Sequence, residues 1–116
     1  MTFGMASAHE MTPAYPDIKP SQYNGVWVVN LEMFNRRQDV EYYELSVHDK
    51  DWNPINFVTA EKIWHMPYLS RRNLNVYVHE KDSKKVTYVC TTSKIFRSET
   101  TKTVVSSKIC SKIKRE

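Results

Sequence analysis

A chain of 116 residues with 17 basic and 13 acidic side chains, net charge +4, has room for one domain and not two. Apolar residues make up 41% of it and aromatic ones 12%, enough for one modest core, while two glycines and five prolines exclude collagen-like and low-complexity chains. No apolar run is long enough for a membrane span, and a mixed charge of small net value excludes wholesale disorder.

Met1–Ala8 reads M-T-F-G-M-A-S-A and ends with alanines at the two small-residue positions a signal peptidase requires. We read residues 1–8 as the remnant of a leader or a disordered arm, so that a processed chain begins at His9. Residues 9–21 carry Pro13, Pro16 and Pro20, a spacing for an extended arm or edge strand and not for a helix. The domain proper is then residues 22–116.

Gly25–Phe34 is a strand with apolar groups on both faces, followed by a polar turn at Asn35–Asp39. Val40–Val47 alternates, with Tyr43, Leu45 and Val47 on one face and Glu44, Ser46 and His48 on the other. His48–Pro54 is a dense turn signal, and Ile55–Thr59 reads as a short strand. Glu61–Tyr68 fits a strand ending at Pro67. In Asn73–His79, Leu74, Val76 and Val78 point inward, and Glu80–Lys85 reads as a charged hairpin turn. Residues 85–95 and 102–113 are β-branched and close the chain as two strands around the polar turn Arg97–Thr101. About seven short strands with turns every eight to twelve residues predict an all-β fold: a single immunoglobulin-like antiparallel β-sandwich.

A hairpin centred on Thr100 places residues whose numbers sum to 200 opposite each other, so Cys90 faces Cys110. Opposed positions lie about 4.5 or 5.5 Å apart at Cα, both within disulfide reach. The spacing predicts a Cys90–Cys110 disulfide, which with the leader points to an oxidising compartment.

The segment Asn35–Ile55 (N-R-R-Q-D-V-E-Y-Y-E-L-S-V-H-D-K-D-W-N-P-I) resembles the second and third strands of PapD-like domains, the immunoglobulin-type sandwiches of periplasmic pilus chaperones. Asn35, Tyr43 and Pro54 fall where that pattern places an Asn, a strand tyrosine and a closing turn, and Asn73–Val78 resembles a later strand. The chain is also similar to small leader-bearing proteins of tailed bacteriophages in its H-E-M-T-P start and its S-S-K-I-C-S-K-I end. The first resemblance implies a chaperone-like assembly factor, the second a virion structural accessory.

Candidate chemistry is sparse. His48 and Asp49 are adjacent, so in a strand they point to opposite faces, and no Ser or Cys sits in a nucleophile elbow. Carboxylate pairs such as Asp39 with Glu41 fall at turns, and no Cys-x-x-Cys, phosphate loop or metalloprotease motif is present. A non-enzymatic protein without a cofactor is expected. The alternative is a periplasmic copper-binding sandwich, in which a processed His9 supplies its amine and imidazole, completed by His48, His65 or His79.

Aromatic and arginine side chains remain. Tyr42 and Tyr77 point outward if their neighbours point inward, and Arg36, Arg37, Arg71 and Arg72 lie close by in sequence. Tyr and Arg are the residue types that anchor protein interfaces. Residues 1–83 carry eleven acidic groups against eight basic ones, and residues 84–116 nine basic against two acidic. The aromatic-rich part is therefore net acidic, which disfavours nucleic acid. The sequence predicts a secreted or periplasmic module, or alternatively a virion component. It meets protein partners by strand addition or through a docking patch of Arg36, Arg37, Tyr42, Arg71, Arg72 and Tyr77.

Overall fold

The computed structural model describes residues 9–94 and 107–114. Two antiparallel sheets pack face to face as an immunoglobulin-like β-sandwich. The first sheet is built on β3 (Val26–Phe34), which pairs along its whole length with β6 (Arg71–His79). On its other side β3 pairs with β1 (Glu10–Thr12) and then β2 (Ile18–Pro20). The second sheet has the order β5 (Ile63–His65), β4 (Tyr42–His48), β7 (Tyr88–Lys94), β8 (Lys108–Lys112).

Alternation along each strand fills the space between the sheets. Val29, Leu31 and Met33 of β3 and Leu74, Val76 and Val78 of β6 meet Tyr43, Leu45 and Val47 of β4 and Val89 of β7, all buried. The inward faces predicted for β4 and β6 are the ones observed. Gly25 precedes β3 at φ 74°, a left-handed conformation that closes the turn in which Ser21 N donates to Val26 O.

The arm is used inside the molecule. Thr12 stands opposite Glu32 and Ile18 opposite Val29, so the intervening residues loop off the first sheet. They run beside β8, where Lys112 N donates to Ala14 O and Lys114 N to Pro16 O. Ser111 Oγ donates to Pro13 O. Prolines suit this path because only their carbonyls are needed. One flank of the sandwich is thereby closed by main-chain bonds.

Two connections depart from the expectation. Ile55–Thr59 forms no strand. Pro54 bridges to His48 in the second sheet and Val58 to Tyr77 in the first, so the segment crosses between sheets and cannot build a ladder on either. Glu80–Lys85 is no hairpin turn, because β6 and β7 belong to different sheets. The chain changes sheets through a single helical turn, α1 (Glu80–Ser83).

The predicted register of the last two strands is observed, with Cys90 opposite Cys110 and a disulfide between them. Ser93 N donates to Ser107 O and Ile113 N to Thr87 O, so odd-numbered residues of this ladder are the hydrogen-bonded pairs. Cys90 and Cys110 occupy a non-hydrogen-bonded pair, the closer kind, with 4.0 Å between Cα atoms. The predicted turn Arg97–Thr101 and the leader Met1–Ala8 lie outside the described residues.

Candidate functional site

The disulfide does not join the two sheets. Tyr43, Leu45 and Val47 face inward opposite Ser93, Thr91 and Val89, so Ser46 and its partner Cys90 lie on the outer face of the second sheet. Beside them the loop after β4 carries Trp52 back over that face. Trp52 stacks on Tyr88 with ring centroids 3.9 Å apart and planes 6° apart, and Lys108 Nζ lies 5.4 Å from the Trp52 ring. Asp49 holds the loop: its Oδ1 accepts from Asp51 N and Asn53 N, which keeps its carboxyl below the usual range. That turn supports the left-handed φ of 67° at Trp52.

A buried polar network fills the end of the sandwich where the arm begins. Asn35 Nδ2 donates to Val40 O and Met66 O, and its Oδ1 accepts from Arg37 N and, at 2.6 Å, from Tyr43 Oη. Arg37 is 5% exposed. It pairs with Asp39 through Nε and Nη2, and its Nη1 donates to Ser107 Oγ. His9, 1% exposed, places Nδ1 at 3.2 Å from Ser107 Oγ and Nε2 at 2.8 Å from Thr91 Oγ1. Burial pushes His9 down to about 4 and the Tyr43 phenol up to about 12. The hydrogen bonds from Arg37 hold the Asp39 carboxyl below its ordinary range.

This network is structural. Both ring nitrogens of His9 are engaged by hydroxyls inside the protein, so the imidazole offers no lone pair to copper. Among the described residues no three His, Cys, Asp or Glu side chains converge as a metal would require. Ser107 beside His9 has the composition of a nucleophile and base, but the second histidine nitrogen meets Thr91 and not a carboxylate.

The six predicted docking residues fall in several places. Arg37 is sequestered as described, which removes it from any surface patch. Arg36 and Arg71 converge on Phe34, with guanidinium carbons 5.1 and 4.2 Å from its ring centre. They pair there with Glu10 and Glu32. Tyr42 lies on the second sheet, stacked on His65 at 4.9 Å. Arg72 lies 4.6 Å over the Trp64 ring and pairs with Glu61. Tyr77 lines a groove with Tyr23, its ring neighbour at 6.1 Å. A single aromatic–Arg patch is therefore not assembled.

The groove runs beside β6, on the flank opposite the arm, with a volume of about 740 Å³. Trp64, Phe57, Val26 and Val78 supply its apolar wall, and Asn56, Asn73 and Asn75 its amides. Tyr77 exchanges both main-chain hydrogen bonds with Val58, so odd-numbered residues of β6 direct their main-chain groups away from β3. Thr59 Oγ1 reaches Asn75 O at 3.1 Å. Beyond it the N–H groups of Asn75, Asn73 and Arg71 point outward along a sheet edge that pairs with no further strand among the described residues. The N-L-N-V-Y alternation could have identified these asparagines, since it turns them away from the core. Trp64 left no such signal, because its position between the sheet edges depends on where the crossing segment runs.

The chain matches no family model, no curated protein and no solved structure. No helix among the described residues is long and apolar enough to cross a membrane.

Proposed function

We propose that this chain is a non-enzymatic protein-binding module that takes a partner strand along the open edge of β6. The observation that carries the reading is the asymmetry of the two flanks. On one flank the arm satisfies β8 with main-chain hydrogen bonds at Ala14 and Pro16. On the other, the described residues give β6 a single bridge, at Tyr77. Unpaired strand edges recruit other chains unless blunted, and β-strand addition is the ordered form of that tendency. The patch alternative loses support, since its residues are dispersed and their arginines are already paired.

The disulfide supports an oxidising compartment, and we take the site of action as extracytoplasmic, secreted or periplasmic, with a virion as the other setting. Within those settings the reading covers a chaperone-like assembly factor of PapD-like type and a bacteriophage structural accessory. In either role the proposed contact is a partner strand added along β6.

The test is a pair of variants. Asn73→Pro removes the outward N–H without touching the β3 ladder, and Asn73→Ala keeps it. Loss of co-assembly in the proline variant alone supports strand addition; equal binding by both refutes it.

A further inference from the structure

His9 sits in a hydrogen-bond chain whose direction is fixed by its two ends. Arg37 can only donate, and its Nη1 donates to Ser107 Oγ. The Met11 thioether can only accept, and Thr91 Oγ1 donates to it at 3.9 Å. Thr91 has one hydroxyl hydrogen, so at 2.8 Å it accepts from His9 Nε2–H. Nδ1 of the neutral ring then holds the lone pair that accepts from Ser107 Oγ–H at 3.2 Å. Every member is satisfied while the imidazole is neutral. A proton arriving at Nδ1 leaves the Ser107 hydroxyl hydrogen without an acceptor and sets an imidazolium one hydroxyl away from the Arg37 guanidinium. Among the described residues no free carboxylate faces the ring. The connection after β3 brings Arg37 and Asp39, and both Asp39 oxygens accept from Arg37. β4 brings the Tyr43 ring, 4.5 Å from the imidazole, while β7 and the start of β8 bring the hydroxyls of Thr91 and Ser107. Glu10, next in the chain, pairs with Arg36 at the surface. A buried cation beside a second one is costly.

The segment that carries His9 is held by few bonds. β1 is three residues long, and Met11 is its one side chain in the core. Residues 13–16 lie against β8 through Lys112 N to Ala14 O, Lys114 N to Pro16 O and Ser111 Oγ to Pro13 O. β2, by contrast, belongs to a hairpin with β3 that is closed at Ser21 and Val26. Release of residues 9–16 therefore leaves the β3–β6 and β4–β7 ladders whole.

We propose that residues 9–16 form an acid-released strap: protonation of His9 detaches the segment from β3 and β8 while the two sheets stay folded, and so uncovers the edge of β8. The proposal does not depend on strand addition at β6. Burial holds His9 at about 4 in the closed strap against 6.5 in a released one, so going from pH 7.5 to pH 5 shifts the balance roughly 25-fold toward release.

The test uses the whole, disulfide-bonded chain, isotopically labelled. Amide exchange is read by NMR at Lys112 and Lys114, whose N–H groups the strap covers, and at Leu74 and Val76 in the middle of β6. At every pH Lys112 and Lys114 should be less protected than Leu74 and Val76, as a local opening requires. Their protection, corrected for the intrinsic pH dependence of exchange, should fall roughly 25-fold between pH 7.5 and pH 5. In His9→Asn that fall should vanish. If the variant does not fold, the ring nitrogen shifts of the unaltered chain decide. In the closed strap His9 must be neutral with its hydrogen on Nε2, and a protonated His9 with Lys112 and Lys114 still protected overturns the proposal. Equal protection at all four amides marks opening by global unfolding and overturns it as well. So does protection at Lys112 and Lys114 that does not change with pH, or a fall that persists in His9→Asn.

Discussion

His9 and Thr91 are 82 positions apart in sequence, and their Nε2 and Oγ1 atoms are 2.8 Å apart in a buried cluster. The contact ties the start of the arm to the middle of β7, and through Ser107 to the start of β8. It also couples folding to protons. His9 binds its proton at about 4 in the folded chain and at 6.5 when unfolded. Between those values the unfolded chain holds more protons, so stability rises with pH. The contribution is complete above pH 6.5 and lost as pH falls to 4, a total of about 3 kcal/mol. Tyr43 acts at the other end. Its phenol is raised to about 12 from 10, so stability falls as pH rises between those values. Urea unfolding across pH should give a plateau between 6.5 and 10, and the acid slope should flatten in His9→Asn.

Asn35 has four hydrogen bonds and Tyr43 Oη contributes one of them. Asn35→Ala leaves two buried carbonyls, one N–H and the phenol without partners, and should cost about 3–5 kcal/mol. Tyr43→Phe leaves Asn35 Oδ1 still bonded to Arg37 N and should cost about 1–2 kcal/mol. Equilibrium unfolding of both variants checks the order. A larger loss in Tyr43→Phe would contradict the network.

Removing the disulfide through Cys90→Ser with Cys110→Ser should lower stability by about 3 kcal/mol, the loop-closure value for a separation of 20 residues. The bridge lies on the outer face of the second sheet, outside the cluster between the sheets, so the far-ultraviolet spectrum should not change; Cys90 is itself fully buried, and its serine adds the cost of a buried hydroxyl to the loop-closure value. Intact mass should rise by two hydrogens on reduction of the natively produced protein.

The arm carries its own prediction. Deleting residues 1–16 removes the acceptors of Lys112 N and Lys114 N and takes the buried Met11 and His9 with them. Such a chain should be markedly less stable and should self-associate through the freed edge of β8. Sedimentation at rising concentration reads this out; a monomer of unchanged stability would contradict the role given to the arm.

Much of the fold was legible because alternation survives wherever a strand has one wet and one dry face. Leu74, Val76 and Val78 declared the inner face of β6, and the hairpin arithmetic placed Cys90 opposite Cys110. What failed was connectivity. Nothing in Ile55–Thr59 says that Pro54 and Val58 bridge to different sheets, and nothing in Glu80–Lys85 says that the chain leaves a sheet there. Both facts belong to how the layers stack. The site suffered from the same blindness. Arg37 has the composition of a surface anchor, but Asp39 and Ser107 are brought to it by the crossover after β3. Asn73 and Asn75 were in view as outward residues, but the edge they line is open only because the crossing segment stops at Thr59.

The most direct test of the account is residue-level amide hydrogen exchange along β6, in the chain alone and in an assembly with the partner protein that the proposed strand addition requires. The account predicts slow exchange at Leu74 and Val76 in both, and at Asn73 and Asn75 fast exchange alone and protection in the assembly. Continued fast exchange at Asn73 and Asn75 in the assembly, with protection appearing at another surface, would contradict it.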